Sequence, residues 1–353
     1  MQEILETLKK LIMAAGPTGF EQQVREVFVK EIMNHVDQVQ VDALGNVIAV
    51  KAGKKKNGPK IMIAAHLDEV GLIVKYVDEA GWVYFEPLGF VDERALAGQL
   101  VSIHTHQGAV SGVVGIKGKL FAKPEELAKS IPASEMWIDV GAASEKEAGE
   151  IGIRIGNPIT FQKRFETLGG GNVICAPSLD NRVGCSVLIE AVRNLKNEPH
   201  DATIYAVGTV QEEVGCRGAK TAAAAVNPDV ALVVDTTIGE DPATPRKEVS
   251  TRIGAGPAIR LMDQSQMLGH ITLPRMKEFL ISTAEAERIP YQLEVLPKVA
   301  TDAATLHLSG RGILTGSILI PRRYFHTPLE LAMVSDIQNA TRLLTAGIKK
   351  ITS

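Results

Sequence analysis

Short, nearly unbroken apolar runs recur along this sequence, at residues 60–65, 202–210, 230–235 and 316–320. Runs of that length without polar alternation predict strands buried on both faces, as in a parallel sheet. Around them the apolar positions recur at helical spacing. Ile4, Leu5, Leu8, Leu11 and Ile12 predict a helix over residues 2–14. Val24, Val27, Phe28 and Ile32 predict a second helix, with Thr18 and Glu21 at the spacing of a capping box before it. Further helices are predicted over 182–196, 218–226, 273–287, 301–309 and 334–349, and strands over 47–50 and 292–296. Strand alternating with helix implies an α/β fold, a mostly parallel sheet with helices on both faces.

The texture changes between residue 70 and about 165. Short segments of alternating polarity, separated by glycine, lie at 71–76, 82–86, 99–103, 109–116, 136–140 and 157–160. This spacing predicts a small β barrel or sandwich, with a short helix near 125–130. After about 172 the first pattern returns. The expected organisation is therefore one α/β domain, residues 1–68 and 166–353, interrupted by a β domain at 69–165.

Composition narrows the class of protein. The chain has 353 residues and is 45% hydrophobic, which excludes intrinsic disorder. A formal net charge of −3 leaves no basic footprint for nucleic acid or for an anionic membrane. No apolar run approaches the roughly 18 residues of a membrane span. The N-terminus, Met1-Gln-Glu-Ile-Leu-Glu, carries acids where a signal peptide carries bases, so a cytoplasmic location is expected. Cys175, Cys185 and Cys216 are odd in number and form no CxxC, so free thiols are expected.

The candidate chemistry sits at strand ends. The run at 61–65 leads into His66, Leu67, Asp68 and Glu69; that at 204–210 into Gln211, Glu212 and Glu213; that at 230–234 into Asp235. The run at 317–320 precedes Pro321 and, further on, His326. Asp180 opens the helix at 182, where it is also well placed as an N-cap. Sites in open α/β sheets form outside the carboxyl ends of the strands, so all five can meet at one edge. Alone, each is ordinary. Together they converge two histidines and several carboxylates, which a buried site tolerates when cations neutralise it. His, Asp and Glu ligands suit zinc and its neighbours cobalt and manganese, and two ions about 3.5–4 Å apart activate a water and polarise a carbonyl together. On extended backbone Glu212 and Glu213 would point to opposite sides, one to metal and one to substrate. Asp68 would return toward His66 and accept its free N–H. The other histidines carry less. His104 and His106 share a strand face in the β region and read as surface; His35, His200, His270 and His307 have no partner pattern.

These stretches carry a resemblance. Pro17-Thr-Gly-Phe-Glu21, Ala65-His-Leu-Asp-Glu-Val-Gly71, Ser178-Leu-Asp-Asn-Arg182, Val210-Gln-Glu-Glu-Val-Gly215, Val234-Asp-Thr-Thr237, Gly254-Ala-Gly-Pro257, Ala300-Thr-Asp-Ala303 and Arg323-Tyr-Phe-His-Thr-Pro328 resemble the TET aminopeptidases, the glutamyl aminopeptidase/endoglucanase-like family of metallopeptidases. The resemblance covers nearly the whole chain in order. It implies a zinc-peptidase α/β domain with an inserted PDZ-like β-barrel domain. It also implies two divalent ions per subunit, Zn or Co, acting on short peptides. His66 and Asp235 would hold one ion, Glu213 and His326 the other, with Asp180 bridging. Glu212 would be the general base and Asp68 would support His66. Members assemble through the insertion into dimers and then hollow tetrahedral dodecamers, so a homo-oligomer is expected. Three other readings compete. A metal-dependent deacylase or amidase of small substrates would use the same ions. An endoglucanase-type glycosidase would pair carboxylates such as Asp68 and Glu212, but two Trp and five Tyr leave little to stack on sugar rings. A non-enzymatic peptide-binding scaffold leaves the strand-end ligands without a purpose.

Overall fold

The computed structural model describes residues 2–352 apart from 197, 199, 245, 266 and 267, with the backbone alone for residues 2 and 352. Helices α1 (Gln2–Met13) and α2 (Gln22–Ile32) lead into strands β1 (Gln38–Val41), β2 (Val47–Lys51) and β3 (Lys60–His66). Six short strands follow: β4 (Gly71–Val77), β5 (Val83–Leu88), β6 (Leu100–Thr105), β7 (Gly108–Gly115), β8 (Trp137–Asp139) and β9 (Pro158–Phe161). Helices α3 (Pro124–Leu127) and α4 (Glu145–Glu150) lie among them. The chain then returns through β10 (Glu166–Leu168), β11 (Val173–Ala176), α5 (Leu179–Asn194), β12 (Thr203–Thr209), α6 (Arg217–Val226) and β13 (Val230–Ile238). It closes with β14 (Ala258–Gln264), β15 (Gly269–Ile271), α7 (Pro274–Ala286), β16 (Gln292–Pro297), α8 (Ala303–Leu306), β17 (Leu314–Arg323), β18 (Glu330–Met333) and α9 (Val334–Thr352).

The main sheet runs β1-β2-β12-β3-β13-β17-β18-β11-β10. Its centre, β12-β3-β13-β17, is parallel throughout, and the flanking pairs are antiparallel. β14 branches from β17 and carries β15 and β16. The apolar runs explain the parallel centre. Ile61, Ile63 and Ala65 of β3 enter a core with α1, α2, α5 and α9, whereas Met62 and Ala64 enter a second core with Ala219, Ala222 and Ala223 of α6 and Leu306 of α8. Both faces are thus covered, as parallel strands require. The fold is mixed α/β with a largely parallel central sheet and helices on both faces, as expected.

Strands β4–β9 close into a barrel in the order β4-β5-β8-β7-β6-β9. The barrel has its own core, which includes Leu72, Val74, Phe85, Val101, Ile103, Ile138 and Ile159. It is inserted between β3 and β10. The chain enters past Glu69, whose buried carboxylate is paired with Lys163 at the exit and, at 3.1 Å, with Arg182 of α5. One acid therefore ties both ends of the insertion to the α/β domain.

Several local expectations differ from the fold. Thr18 and Glu21 form no capping box: α2 has no side-chain cap. Thr18 instead donates to Asp68 Oδ2 at 2.7 Å, and Glu21 accepts the backbone N–H groups of Gly19 and Gln211. Thr18 is thus drawn to a buried carboxylate, and Glu21 joins the helix entrance to the turn after β12. The helix expected from 182 is continuous from there, because Asp180 and Asn181 near the start of α5 have non-helical backbone angles, but Asp180 is not its N-cap. The helix expected over 301–309 is the single turn of α8. Strands β1, β10, β11, β14, β15 and β18 were not anticipated. All three cysteines are free. No helix of the described residues is long and apolar enough to cross a membrane.

Candidate metal centre

Because β12, β3, β13 and β17 are adjacent and parallel, their carboxyl ends lie side by side. The register sets Thr209 against His66, and Asp235 against Leu319. Asp180, at the start of α5, faces the same edge. The five expected elements meet there. A ligand atom each from His66, Asp180 and Asp235 lie within 4.8 Å of one another, and so do those of Asp180, Glu213 and His326. Asp180 belongs to both groups. Its Oδ1 lies 3.1 Å from His66 Nε2, and its Oδ2 lies 3.4 Å from His326 Nε2. His66 Nε2 is 3.5 Å from Asp235 Oδ1, and His326 Nε2 is 3.3 Å from Glu213 Oε2.

The two imidazoles are oriented alike. His66 Nδ1 is 3.1 Å from the Asp68 carbonyl oxygen, and His326 Nδ1 is 2.8 Å from that of Phe90. A carbonyl only accepts, so each Nδ1 carries a proton and each Nε2 is presented to the acids. The Asp68 carboxylate is farther from His66 Nδ1, at 3.5 Å. It accepts instead from the backbone N–H groups of Glu212, at 3.0 Å, and Glu213, at 3.2 Å, besides Thr18. Asp68 thereby pins the turn that bears both glutamates. That turn is not extended: β12 ends at Thr209, and Gln211 has φ 55°. Glu213 still reaches toward His326, whereas Glu212 Oε1 accepts from the Cys216 thiol at 3.3 Å.

Seven carboxylates are buried here: Asp68, Asp180, Glu212, Glu213, Asp235, Asp302 and Glu330. Burial, and next the charges of Asp180 and Glu212, push the Glu213 carboxyl well above its ordinary range. Burial likewise raises Glu212, as do Asp235, Asp302 and Asp68 around it. Burial by itself would lower the His66 pKa, but Asp235, Asp180 and Asp68 outweigh it and raise it well above the usual value. Asp180 goes the other way. Burial would raise it, but Arg322, His326 and His66 hold it well below the usual range. Crowded acids of this kind call for cations. Glu213 Oε1 is buried without a hydrogen-bond partner among the described residues, a lone pair left for a ligand. The nitrogen and oxygen donors present fit divalent ions of the zinc type.

Sequence reasoning missed the layer behind these groups. Arg322 is fully buried and pairs with Asp180, its Nη1 lies 2.8 Å from Glu330 Oε1, and its Nε donates to Thr236 Oγ1 at 2.8 Å. Glu330 accepts the backbone N–H of Asp180 at 3.0 Å and of His326 at 3.2 Å. A signal existed. Arg322 continues the parity of Ile318 and Ile320 on β17, which places a cation on a core-facing row. His104, read as surface, is half-buried and bonded to Thr160 Oγ1 at 2.9 Å. His270 and His307, read as unrelated, have rings 5.0 Å apart.

Fold and donor set together define a metal-dependent hydrolase. The family model of the M42 glutamyl aminopeptidases matches residues 45–343. The chain is 41% identical to a putative aminopeptidase of Acetivibrio thermocellus, over 98% of this chain and 99% of that one. Its fold is similar to that of aminopeptidase APDkam598 of Desulfurococcus kamchatkensis, with a TM-score of 0.93 and 40% identity over 99% of this chain and 95% of that one. It is also similar to the TET1 peptidase of Pyrococcus horikoshii, which can assemble into a tetrahedron or a large octahedral shell, with a TM-score of 0.85 and 30% identity over 97% and 98% of the two chains. A further similar structure, that of PhTET1-12s, holds a dodecamer in its asymmetric unit, with a TM-score of 0.85 and 31% identity over 98% of each chain. The chain belongs to the M42 glutamyl aminopeptidase family, and it is a metallo-aminopeptidase.

Proposed function

We propose that this aminopeptidase uses two divalent cations, zinc or cobalt, to remove N-terminal residues from short peptides. His66 and Asp235 would hold one ion, Glu213 and His326 the other, and Asp180 would serve both. What supports the reading is that Asp180 belongs both to the group with His66 and Asp235 and to the group with Glu213 and His326. Ions bound there would polarise the scissile carbonyl and lower the pKa of the attacking water. Glu212 takes the proton from that water and delivers it to the leaving amine. Asp68 holds the Glu212–Glu213 turn by its two backbone N–H groups, and Arg322 orients Asp180. The deacylase and amidase readings use the same residues, and a glycosidase has no use for the two histidines.

The test is metal content by elemental analysis. Asp180→Ala is expected to lose both ions, and Asp235→Ala and Glu213→Ala one each. Full occupancy in Asp180→Ala would overturn the bridge. Wild-type protein, chelated and then reloaded with Zn²⁺, Co²⁺ or Mn²⁺, is expected to cleave aminoacyl-p-nitroanilides and not glycosides.

A further inference from the structure

Glu212 belongs to another group that the chemistry above leaves unused. A carboxylate oxygen of Glu212, the Cys216 sulfur and a carboxylate oxygen of Asp302 lie within 4.8 Å of one another. All three side chains are buried. The turn that follows β12 sets the first two, because the Cys216 N–H donates to the Glu212 carbonyl at 2.8 Å. Asp302 comes from the turn before α8, which packs with α6 on the second core. The Cys216 sulfur is 3.3 Å from Glu212 Oε1 and 3.3 Å from the Thr301 carbonyl. Asp302 Oδ2 accepts the Thr209 hydroxyl, but Asp302 Oδ1 is buried and has no partner among the described residues. One thiol proton cannot serve two carboxylates and a carbonyl. Ligands around a tetrahedral zinc stand roughly 3.3–3.8 Å apart, so small side-chain rotations would bring these three onto one ion.

We infer that Glu212, Cys216 and Asp302 form a third cation site, inhibitory and selective for thiophilic divalent ions such as Zn²⁺ and Cd²⁺. On binding, the Cys216 thiol gives its proton to solvent as the sulfur–metal bond forms. The sulfur favours Zn²⁺ and Cd²⁺ over Mn²⁺ and Mg²⁺, which prefer oxygen alone. An ion held there engages the Glu212 carboxylate and removes it from proton transfer. The first two equivalents of zinc therefore activate, and an excess inhibits. The inhibitory part rests on Glu212 being the general base.

The experiment adds Cd²⁺ to protein already loaded with two equivalents of Co²⁺, and follows metal content, the ultraviolet thiolate-to-cadmium charge-transfer band and hydrolysis together. Wild type is expected to keep its cobalt, bind one cadmium, develop the band and lose activity. Cys216→Ser is expected to show no band, and to need at least about tenfold more Cd²⁺ to lose its own starting rate. Asp302→Asn keeps the thiol and is expected to show the band only at higher Cd²⁺, which covers the case of a serine variant that fails to fold. Inhibition that tracks cobalt loss, binding that stops at two ions without a band, or a band that persists in Cys216→Ser would overturn the site. A wild-type rate in Glu212→Gln would instead overturn the base assignment, and the band would still decide the site.

Discussion

Glu212 and Glu213 are neighbours in the chain with different surroundings. Glu213 faces His326, and Glu212 faces the Cys216 thiol. Their roles are accordingly separable by substitution. Glu212→Gln keeps the size and the hydrogen-bonding ability of the side chain but removes its basicity. It is expected to retain both cations by elemental analysis while kcat falls by about 10²- to 10⁴-fold, the range for loss of a general base. A wild-type kcat would exclude Glu212 as the base. The acids at strand ends were legible because they follow apolar runs directly. The partners that orient them were not. His66 and His326 are set by the backbone carbonyls of Asp68 and Phe90, and every residue carries a carbonyl. Asp68, the partner of Thr18, and Gln211, one of the two partners of Glu21, lie 50 and 190 positions away, so a local capping pattern could not reveal them.

At the scale of elements, the parallel centre was readable because strands buried on both faces leave no polar alternation. The barrel was readable because its strands alternate. The antiparallel additions were harder. β10 is exposed along its length, and β11, although apolar, is only four residues long and follows Gly169, Gly170, Gly171 and Asn172, so neither has a run as long as that of β3. β14 is broken by a bulge between Arg260 and Met262, and it buries Arg260 and Asp263 as an internal pair rather than as a solvent face. Two contacts between elements yield predictions. A Cβ on Gly218 of α6 would stand 2.4 Å from the Val210 carbonyl oxygen and 2.6 Å from its nitrogen. Backbone cannot move aside there, so Gly218→Ala is expected to cost about 1–3 kcal/mol in denaturant unfolding and to lower activity by displacing the turn that holds Glu212. Lys163→Met removes a cation from the buried Glu69 carboxylate at the exit of the barrel. Arg182 remains, so the chain is expected to fold but to lose on the order of 3 kcal/mol. Glu69→Gln beside it is expected to add to that loss rather than relieve it, because the fully buried Arg182 is then left without its carboxylate. A double-mutant cycle measures the coupling.

For the whole molecule, the surface of the barrel raises the question of assembly. Leu120 and Phe121 lie in the turn between β7 and α3 and are 93% and 79% exposed, and Ile155 before β9 is 73% exposed. Large apolar side chains so far out of the barrel core add nothing to its stability, and they suit contact with another copy. TET relatives assemble into dodecamers. Assembly of this chain would be read as a multiple of its 37.9 kDa mass by light scattering or sedimentation. The double substitution Leu120→Asp with Phe121→Asp would place two charges in such a contact and would leave the barrel core and the metal centre untouched. Smaller particles with an unchanged circular-dichroism spectrum and unchanged hydrolysis of an aminoacyl-p-nitroanilide are the expected result. A variant that keeps the wild-type mass would move the interface away from this turn. A wild type that sediments as a single chain would remove the expectation of assembly altogether.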